Sequence, residues 1–350
     1  MISHSRPTLD DSDRKAVLSV LESGHLVQGE KVACFEKDLA SFVGTKGGVA
    51  VSSGTAALHL ALLGLGVGPG DEVIFPTFVC GALLQAVSYV GATPVLADVD
   101  PRTFNLDTGD LKRRVTKKTK AVIVPHMFGL PADMEGILSL GVPVIEDCAQ
   151  AIGSKYGSAK AGSLGKVSIF SFYATKMLAT GEGGMVLSAD EDLLERIRDL
   201  RDYDEREDHQ LRFNYKMTDM QAALGVSQLK KLPLFIWRRR EIAECFNRCL
   251  DGASAIPPVA PPGREHVYYR YVILHEGDSA SFIHEMRKKG IDCRRPVFKP
   301  LHRYLNLSGY PVAEDVWRRS SSIPLYPSMM NGERKHITDQ LQSLLARKGC

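Results

Sequence analysis

The sequence predicts an α/β fold, with a large domain on a mostly parallel central sheet followed by a smaller α+β C-terminal domain. Two observations carry this expectation. Between residues 47 and about 200, short continuous apolar runs alternate with helix-like stretches, and continuous apolar runs are the mark of strands buried on both faces. The alternation then stops, and a long helical stretch leads to the proline-rich segment IPPVAPPG at 256–263, a candidate linker. A chain of 350 residues suits one large and one small domain, expected at 1–235 (including an N-terminal helical segment) and 236–350.

Taken in order, DDSDRKAVLSVLESG reads as an amphipathic helix. Asp and Ser supply N-cap candidates, Val17, Leu18 and Leu21 recur at helical spacing, and Gly24 is a C-cap candidate. A second helix, KVACFEKDLASFVG, ends at Gly44. VAVSS is a strand leading into the helix GTAALHLALLGLG, DEVIFP a strand before CGALLQAVSYVG, and TPVLADV a strand before the polar helix around DTGDLKRRV. KAVIVPHMF precedes the helix ADMEGILSLG, PVIED precedes CAQAIG, and KVSIFSF and GMVLS add two strands. The helical stretch from Thr218 to Gly252 is interrupted by Pro233, which removes a backbone donor. Beyond the linker, YYRYVILHE reads as a strand, SASFIHEMRKKG as a helix and ERKHITDQLQSLLARKG as a closing helix.

Composition narrows the class. Hydrophobic residues at 44% and charged residues at 24% are ordinary for a soluble globular protein. A net charge of +3, with local clusters only at 238–240 and 294–295, lacks the basic stripe of a nucleic-acid binder. No segment has the ~18 uninterrupted apolar residues of a membrane span, and the start has no apolar leader core, so a cytoplasmic location is expected. Cys34, Cys80, Cys148, Cys245, Cys249, Cys293 and Cys350 are odd in number and lack framework or zinc spacing, so they read as reduced and no metal is expected. GLGVGPG at 64–70 has Pro69 where a dinucleotide fingerprint needs its third glycine, and it closes a helix where it should follow a strand. The P-loop, HExxH and GxSxG motifs are missing from the sequence.

Three pieces share one property: each sits at the carboxyl end of an expected parallel strand, where open α/β sheets place ligands. In SSGTAAL, Ser52, Ser53, Gly54 and Thr55 lead from a strand into a helix, which makes either an ordinary N-cap or a phosphate cradle. In VIEDCAQAIG, Glu146, Asp147 and Gln150 follow a buried strand; a carboxylate there needs a positive partner, either a structural cation or a protonated ring nitrogen. In FSFYATKMLATGEGG, Lys176 is either a solvated loop lysine or a desolvated amine able to form a Schiff base. Jointly, a phosphate cradle, a carboxylate for a ring nitrogen and an amine for an aldehyde are the three handles of pyridoxal 5′-phosphate.

The chain resembles the DegT/DnrJ/EryC1/StrS sugar aminotransferases over nearly its whole length. The resemblance is carried by LVQGEKVACFEKDLASFVG, AVSSGTAALHLALLGLGVGPGDEVIFPTF, GATPVLADVD, KAVIVPHMFGLPADM, VIEDCAQAIGSKY, GSLGKVSIFSFYATKMLATGEGGMVLS and NYKMTDMQAALGVSQL. It implies fold type I of the PLP-dependent transferases, that of aspartate aminotransferase. It implies Lys176 as the Schiff-base lysine and proton shuttle, Asp147 as the pyridine-nitrogen partner, and Gln150 near the cofactor's phenolic oxygen. Gly54, Thr55 and Ser171 are the implied phosphate ligands, and Phe78 the aromatic that stacks on the pyridine. Asn214 is implied as a phosphate contact from a neighbouring subunit, hence a homodimer with shared sites. Around these, Ala174 and Met177 flank Lys176 where the family often has proline and asparagine, Phe213 stands where a glycine often lies, and Cys148 replaces a common alanine.

The implied reaction moves an amino group from glutamate to a ketone on a nucleotide-linked deoxysugar. A related dehydratase branch has histidine in place of the lysine. Arg294, Arg295 and Lys299 could meet the substrate's diphosphate, or form a solvated basic loop. The alternatives are the same chemistry on a cyclitol or aminoshikimate-type ketone, and a non-catalytic regulatory protein on the same fold.

Overall fold

The computed structural model describes residues 1–346; residues 347–350, with Cys350 and the expected end of the closing helix, lie outside the described residues. α1 (Asp11–Ser23) starts where Asp10 accepts from the amides of Ser12 and Asp13, and stops at Gly24 in the left-handed region. α2 (Glu30–Val43) lacks a capping side chain of its own. The buried carboxylate of Asp219 reaches over instead, accepting from the amides of Gly29, Lys31 and Val32 at 2.8, 3.2 and 3.0 Å, which places negative charge at a helix N-terminus.

The alternating region then runs β1 (Gly47–Val51), α3 (Gly54–Gly64), β2 (Glu72–Pro76), α4 (Ala82–Tyr89), β3 (Thr93–Ala97), α5 (Thr108–Arg114), β4 (Thr119–Pro125), α6 (Met134–Leu138), β5 (Val144–Asp147), β6 (Val167–Ser171), β7 (Gly184–Ser188) and α7 (Glu191–Arg201). Among the described residues these strands form one seven-stranded sheet in the order β1-β7-β6-β5-β4-β2-β3. β2, β3, β4, β5 and β6 are mutually parallel, and β7 runs antiparallel between β1 and β6. The expected mostly parallel sheet is therefore present, with its apolar strands almost wholly buried. CAQAIG forms turns rather than a helix. The Cys148 amide bonds Ile169 O and the Ala149 amide bonds the Asp147 carboxylate, so the donors of a first helical turn are engaged elsewhere.

α8 (Asp219–Cys249) opens with a Thr218/Gln221 capping box and continues unbroken through Pro233. Pro233 removes a single rung at a cost of ~3 kcal/mol, and burial of Leu229, Leu232 and Phe235 around it offsets that at ~1.5–3 kcal/mol per large side chain. The expected boundary at 235/236 falls inside this helix. β8 (Tyr271–His275), α9 (Ser279–Lys288), α10 (Pro311–Arg319), β9 (Ser320–Ile323) and α11 (Asn331–Leu345) follow. β8 pairs antiparallel with β9 and with Ala255–Ile256 in a second, smaller sheet. β9 escapes the sequence pattern because it is mostly serine. Its serines are buried, with Ser321 bonded to His275 and Ser279 and Ser322 to His4. The proline-rich stretch does not hang free: Arg264–Glu265 pairs with Lys155–Tyr156 of the large half.

Candidate active site

The carboxyl ends of β2, β4, β5 and β6 open together onto a cavity of about 620 Å³, the position expected of a ligand site in such a sheet. Lys176 and Gln150 line it from the large half. Arg270, Arg287, Arg294, Arg295 and Lys299 line it from beyond α8, and Asp and Glu are missing from the described lining. The Lys176 amide is held by Tyr173 O at 2.8 Å. Its ammonium lies 5.2 Å from the centre of the Tyr269 ring and makes neither an ion pair nor a hydrogen bond among the described residues.

Asp147 ends β5 at 7% exposure. Burial raises its carboxyl above the ordinary carboxylate range, against the Ala149 amide and the positive charge of Lys176, which pull it down. A cation placed against it would be stabilised, because the carboxylate lacks a bonded cationic partner among the described residues. Its neighbour Glu146 points to the other face of the strand and has a different task. It accepts from the amides of Gly162, Leu164 and Gly165 at 2.9, 2.7 and 2.6 Å and from His126 Nε2 at 2.9 Å. The Nδ1 of that imidazole accepts from Ala132, so the network assigns the proton to Nε2. Although burial opposes it, these donors hold Glu146 below its ordinary range. Gln150 Oε1 accepts from the Phe128 amide at 2.9 Å and so fixes Phe128, whose φ is 57°.

Gly54 and Thr55 open α3, where Gly54 lies against Ser171 at the carboxyl end of β6. Gly54 is the first residue of α3, Ser53 caps it through the Ala56 amide at 3.1 Å, and a Cβ on Gly54 would stand 2.8 Å from Ser171 Cβ. A Cβ on Gly184, opposite Ser171 in the β6/β7 pair, would stand 2.3 Å from Ser53 O. Two bare backbones thus bring a helix N-terminus and a serine hydroxyl into one small cradle of N–H and O–H donors, which suits a phosphate.

Phe78 has a fully buried ring, 6.0 Å from Phe104 and 6.5 Å from Phe128, and is not in the described lining of the cavity, which Val79 and Cys80 reach instead. The preceding Thr77 is held through its hydroxyl and carbonyl by His302 and Leu301. Cys80 is exposed, but into the cavity; the surrounding walls raise its thiol, with Lys176 pulling it down and Asp147 adding to the rise. Asn214 is exposed and does not line its own chain's cavity. It is presented outward by Phe213 and Tyr215, which pack on His59. Arg294, Arg295 and Lys299 do line the cavity. Arg294 pairs with Asp292 at 2.7 Å, Arg295 stacks on Trp317 at 4.2 Å, and Lys299 sits over Tyr304 at 4.4 Å. Cys80, Tyr269, Arg270 and Arg287 are among the lining residues that sequence reasoning passed over.

Residues 7–342 match the DegT/DnrJ/EryC1/StrS aminotransferase family. The chain belongs to that family. It is 39% identical to the GDP-perosamine synthase of Caulobacter vibrioides, covering 98% of each chain. It is 35% identical to the UDP-N-acetyl-3-dehydro-alpha-D-glucosamine 3-aminotransferase of Acidithiobacillus ferrooxidans, covering 98% of this chain and 96% of that one. Among solved structures, the PLP form of Spr1654 from Streptococcus pneumoniae superposes with a TM-score of 0.93 at 28% identity, covering 98% of each chain. The fold is that of the PLP-dependent aminotransferases, as the resemblance implied.

Proposed function

We propose that this protein is a pyridoxal 5′-phosphate-dependent aminotransferase that moves an amino group from glutamate to a keto group of a nucleotide-linked deoxysugar in amino-sugar biosynthesis. The observation that carries this reading is an unpaired Lys176 on the cavity wall, electrostatically coupled to a buried Asp147 that lacks a cationic partner among the described residues, with Gly54 lying against Ser171 at the end of the strand that leads to the lysine. Bound there, the cofactor supplies an aldehyde that accepts amino groups and a ring that withdraws electrons. Lys176 holds it and moves the proton, and Asp147 keeps the ring nitrogen protonated. Gly54, Thr55 and Ser171 receive the phosphate, and Gln150 orients the ring edge. The arginine and lysine lining suits acceptors that carry a diphosphate and a donor that carries carboxylates. The relatives above act on GDP- and UDP-linked sugars, which supports a nucleotide-sugar acceptor here.

The outward-facing Asn214 supports a homodimer in which each chain completes the partner's phosphate site. The described helices include none long and apolar enough to cross a membrane, and work in the cytoplasm fits this reading. The two sheets support the division into a large and a small domain joined through α8. The test is the visible spectrum of the PLP-loaded protein before and after glutamate, with Lys176→Ala as control. A long-wavelength band that bleaches only in the unmutated protein supports the donor step; a band indifferent to glutamate removes it. Nucleotide-linked keto-sugars tested against cyclitol ketones then identify the acceptor class.

A further inference from the structure

Tyr269 stands apart from the other tyrosines around it. Tyr268 stacks on His266 at 4.1 Å, and Tyr271 donates its hydroxyl to Asn247 at 2.7 Å. The Tyr269 hydroxyl makes a long contact, 3.5 Å, to the Thr175 hydroxyl, one residue before Lys176, with the Arg270 guanidinium as its other polar neighbour. Its ring is 93% buried yet reaches the cavity, with Lys176 Nζ 5.2 Å and the Arg270 guanidinium carbon 5.5 Å from its centre. The position is rigidly set. Arg239, buried in α8, donates to the carbonyls of Tyr268 and Tyr269 at 3.1 and 3.2 Å and to Leu325 O at 3.0 Å.

We propose that Tyr269 is the proton partner of Lys176: with one water bridging Nζ, which lies over the ring face, and the hydroxyl, the phenolate takes a proton from the Lys176 ammonium, freeing the neutral amine that a carbonyl or an acidic carbon requires, and the phenol returns that proton. In each exchange one N–H bond at Nζ breaks as one O–H bond at the phenol forms, so the site's net charge is unchanged. The proposal rests on reading Lys176 as the reacting amine.

The electrostatic setting favours the exchange. Burial alone raises the phenol, but the charges of Lys176 and Arg270 outweigh it and bring Tyr269 down to about 8, against an ordinary value of about 10. Arg239 adds a third positive charge from α8. His4, behind the ring in a small pocket shared with Thr175 and Arg270, is held uncharged by burial, its value lowered to about 3. Asp147 and Cys80 are the acidic groups that couple to Lys176, Cys80 from the cavity wall and Asp147 from the buried end of β5.

The test uses tyrosinate absorbance against pH in the cofactor-free protein, its Tyr269→Phe variant and its Lys176→Ala variant. One tyrosine is expected to titrate near pH 8 in the unmutated protein and to be missing in Tyr269→Phe. Its midpoint should rise by about one unit or more in Lys176→Ala, the size of shift an adjacent opposite charge produces. The proposal is overturned if every tyrosine of the unmutated protein titrates above about pH 9.5, or if Lys176→Ala leaves the midpoint in place. Because the titration needs neither cofactor nor substrate, it stands apart from the glutamate experiment, and either can fail alone. In the loaded enzyme, Tyr269→Phe keeps the ring beside Lys176 and should lower kcat ~10-fold or more with an altered pH profile, general acid–base groups being worth ~10²–10⁴-fold. Full activity of Tyr269→Phe at every pH would also overturn it.

Discussion

Replacing Gly184 by alanine tests whether the β6/β7 hairpin shapes the phosphate cradle. The added Cβ would lie 2.3 Å from Ser53 O and 2.8 Å from Gly54 N, whereas ordinary contact begins at 3.4 Å. Both neighbours are backbone, so a chain shift of roughly 1 Å has to be shared between β7 and the first turn of α3. The cradle has no slack on its other side, where Gly54 already lies against Ser171. Overpacking of this kind costs ~1–3 kcal/mol of stability. Displaced phosphate donors should weaken cofactor binding ~10–100-fold, about 1.4–2.8 kcal/mol. The assay is a titration of the cofactor-free protein with PLP, with denaturant unfolding alongside. Gly68→Ala, which meets nothing within 4 Å, serves as the control and should bind normally. A folded Gly184→Ala protein with unchanged affinity for PLP would refute the reasoning.

Two further outcomes are expected. His4, His266 and His275 are buried, and burial lowers them to about 3, about 3 and about 4. Depressed histidines bind fewer protons folded than unfolded, so their stability contribution is complete above the unfolded value of about 6.5 and is lost as pH falls from there through the folded values. Each costs up to ~1.4 kcal/mol per pH unit in that window, and denaturant midpoints should fall clearly between pH 7.5 and about 5.5; a flat profile would contradict this. Second, alkylation followed by mass spectrometry should label Cys34 and Cys80, both exposed, in the cofactor-free protein, and PLP should protect Cys80 alone. Equal labelling of Cys80 with and without PLP would place the cofactor elsewhere.

What the sequence made legible were features set locally. The buried strands, the glycine-rich turn after α3's cap and the lysine between two strands announce themselves through short patterns. The failures share a different cause, long-range contact. Cys80 lines the cavity three residues after Thr77, which is bonded to His302, 225 residues away, a contact no local pattern announces. Tyr269 reaches the lysine from a segment 94 residues beyond Thr175, and nothing in VYYRY marks which tyrosine will do so. β9 hides because its inward residues are serines, of which Ser321 and Ser322 find partners on β8, α9 and the N-terminal segment, a pairing no periodicity records. Pro233 misleads because the packing on α8 outweighs a single lost rung.

The basic wall of the cavity is fastened at both ends. Arg294 exchanges backbone bonds with Ser322, Leu301 and His302 are tied to Thr77, and Glu314 holds His302 and Arg303. Between those fastenings Pro296 and Val297 are buried, Arg295 donates to Trp317 O, and the carbonyls of Pro296 and Phe298 accept from Arg270 and Trp317, while the Phe298 side chain stands out at 85% exposure. The exposed side chain at 298 is therefore the place to exchange for that of a relative with a different sugar nucleotide, because both seams and the buried Pro296 and Val297 stay in place. Acceptor choice could then drift in evolution, or be redirected in the laboratory, without touching the machinery that handles the amino group.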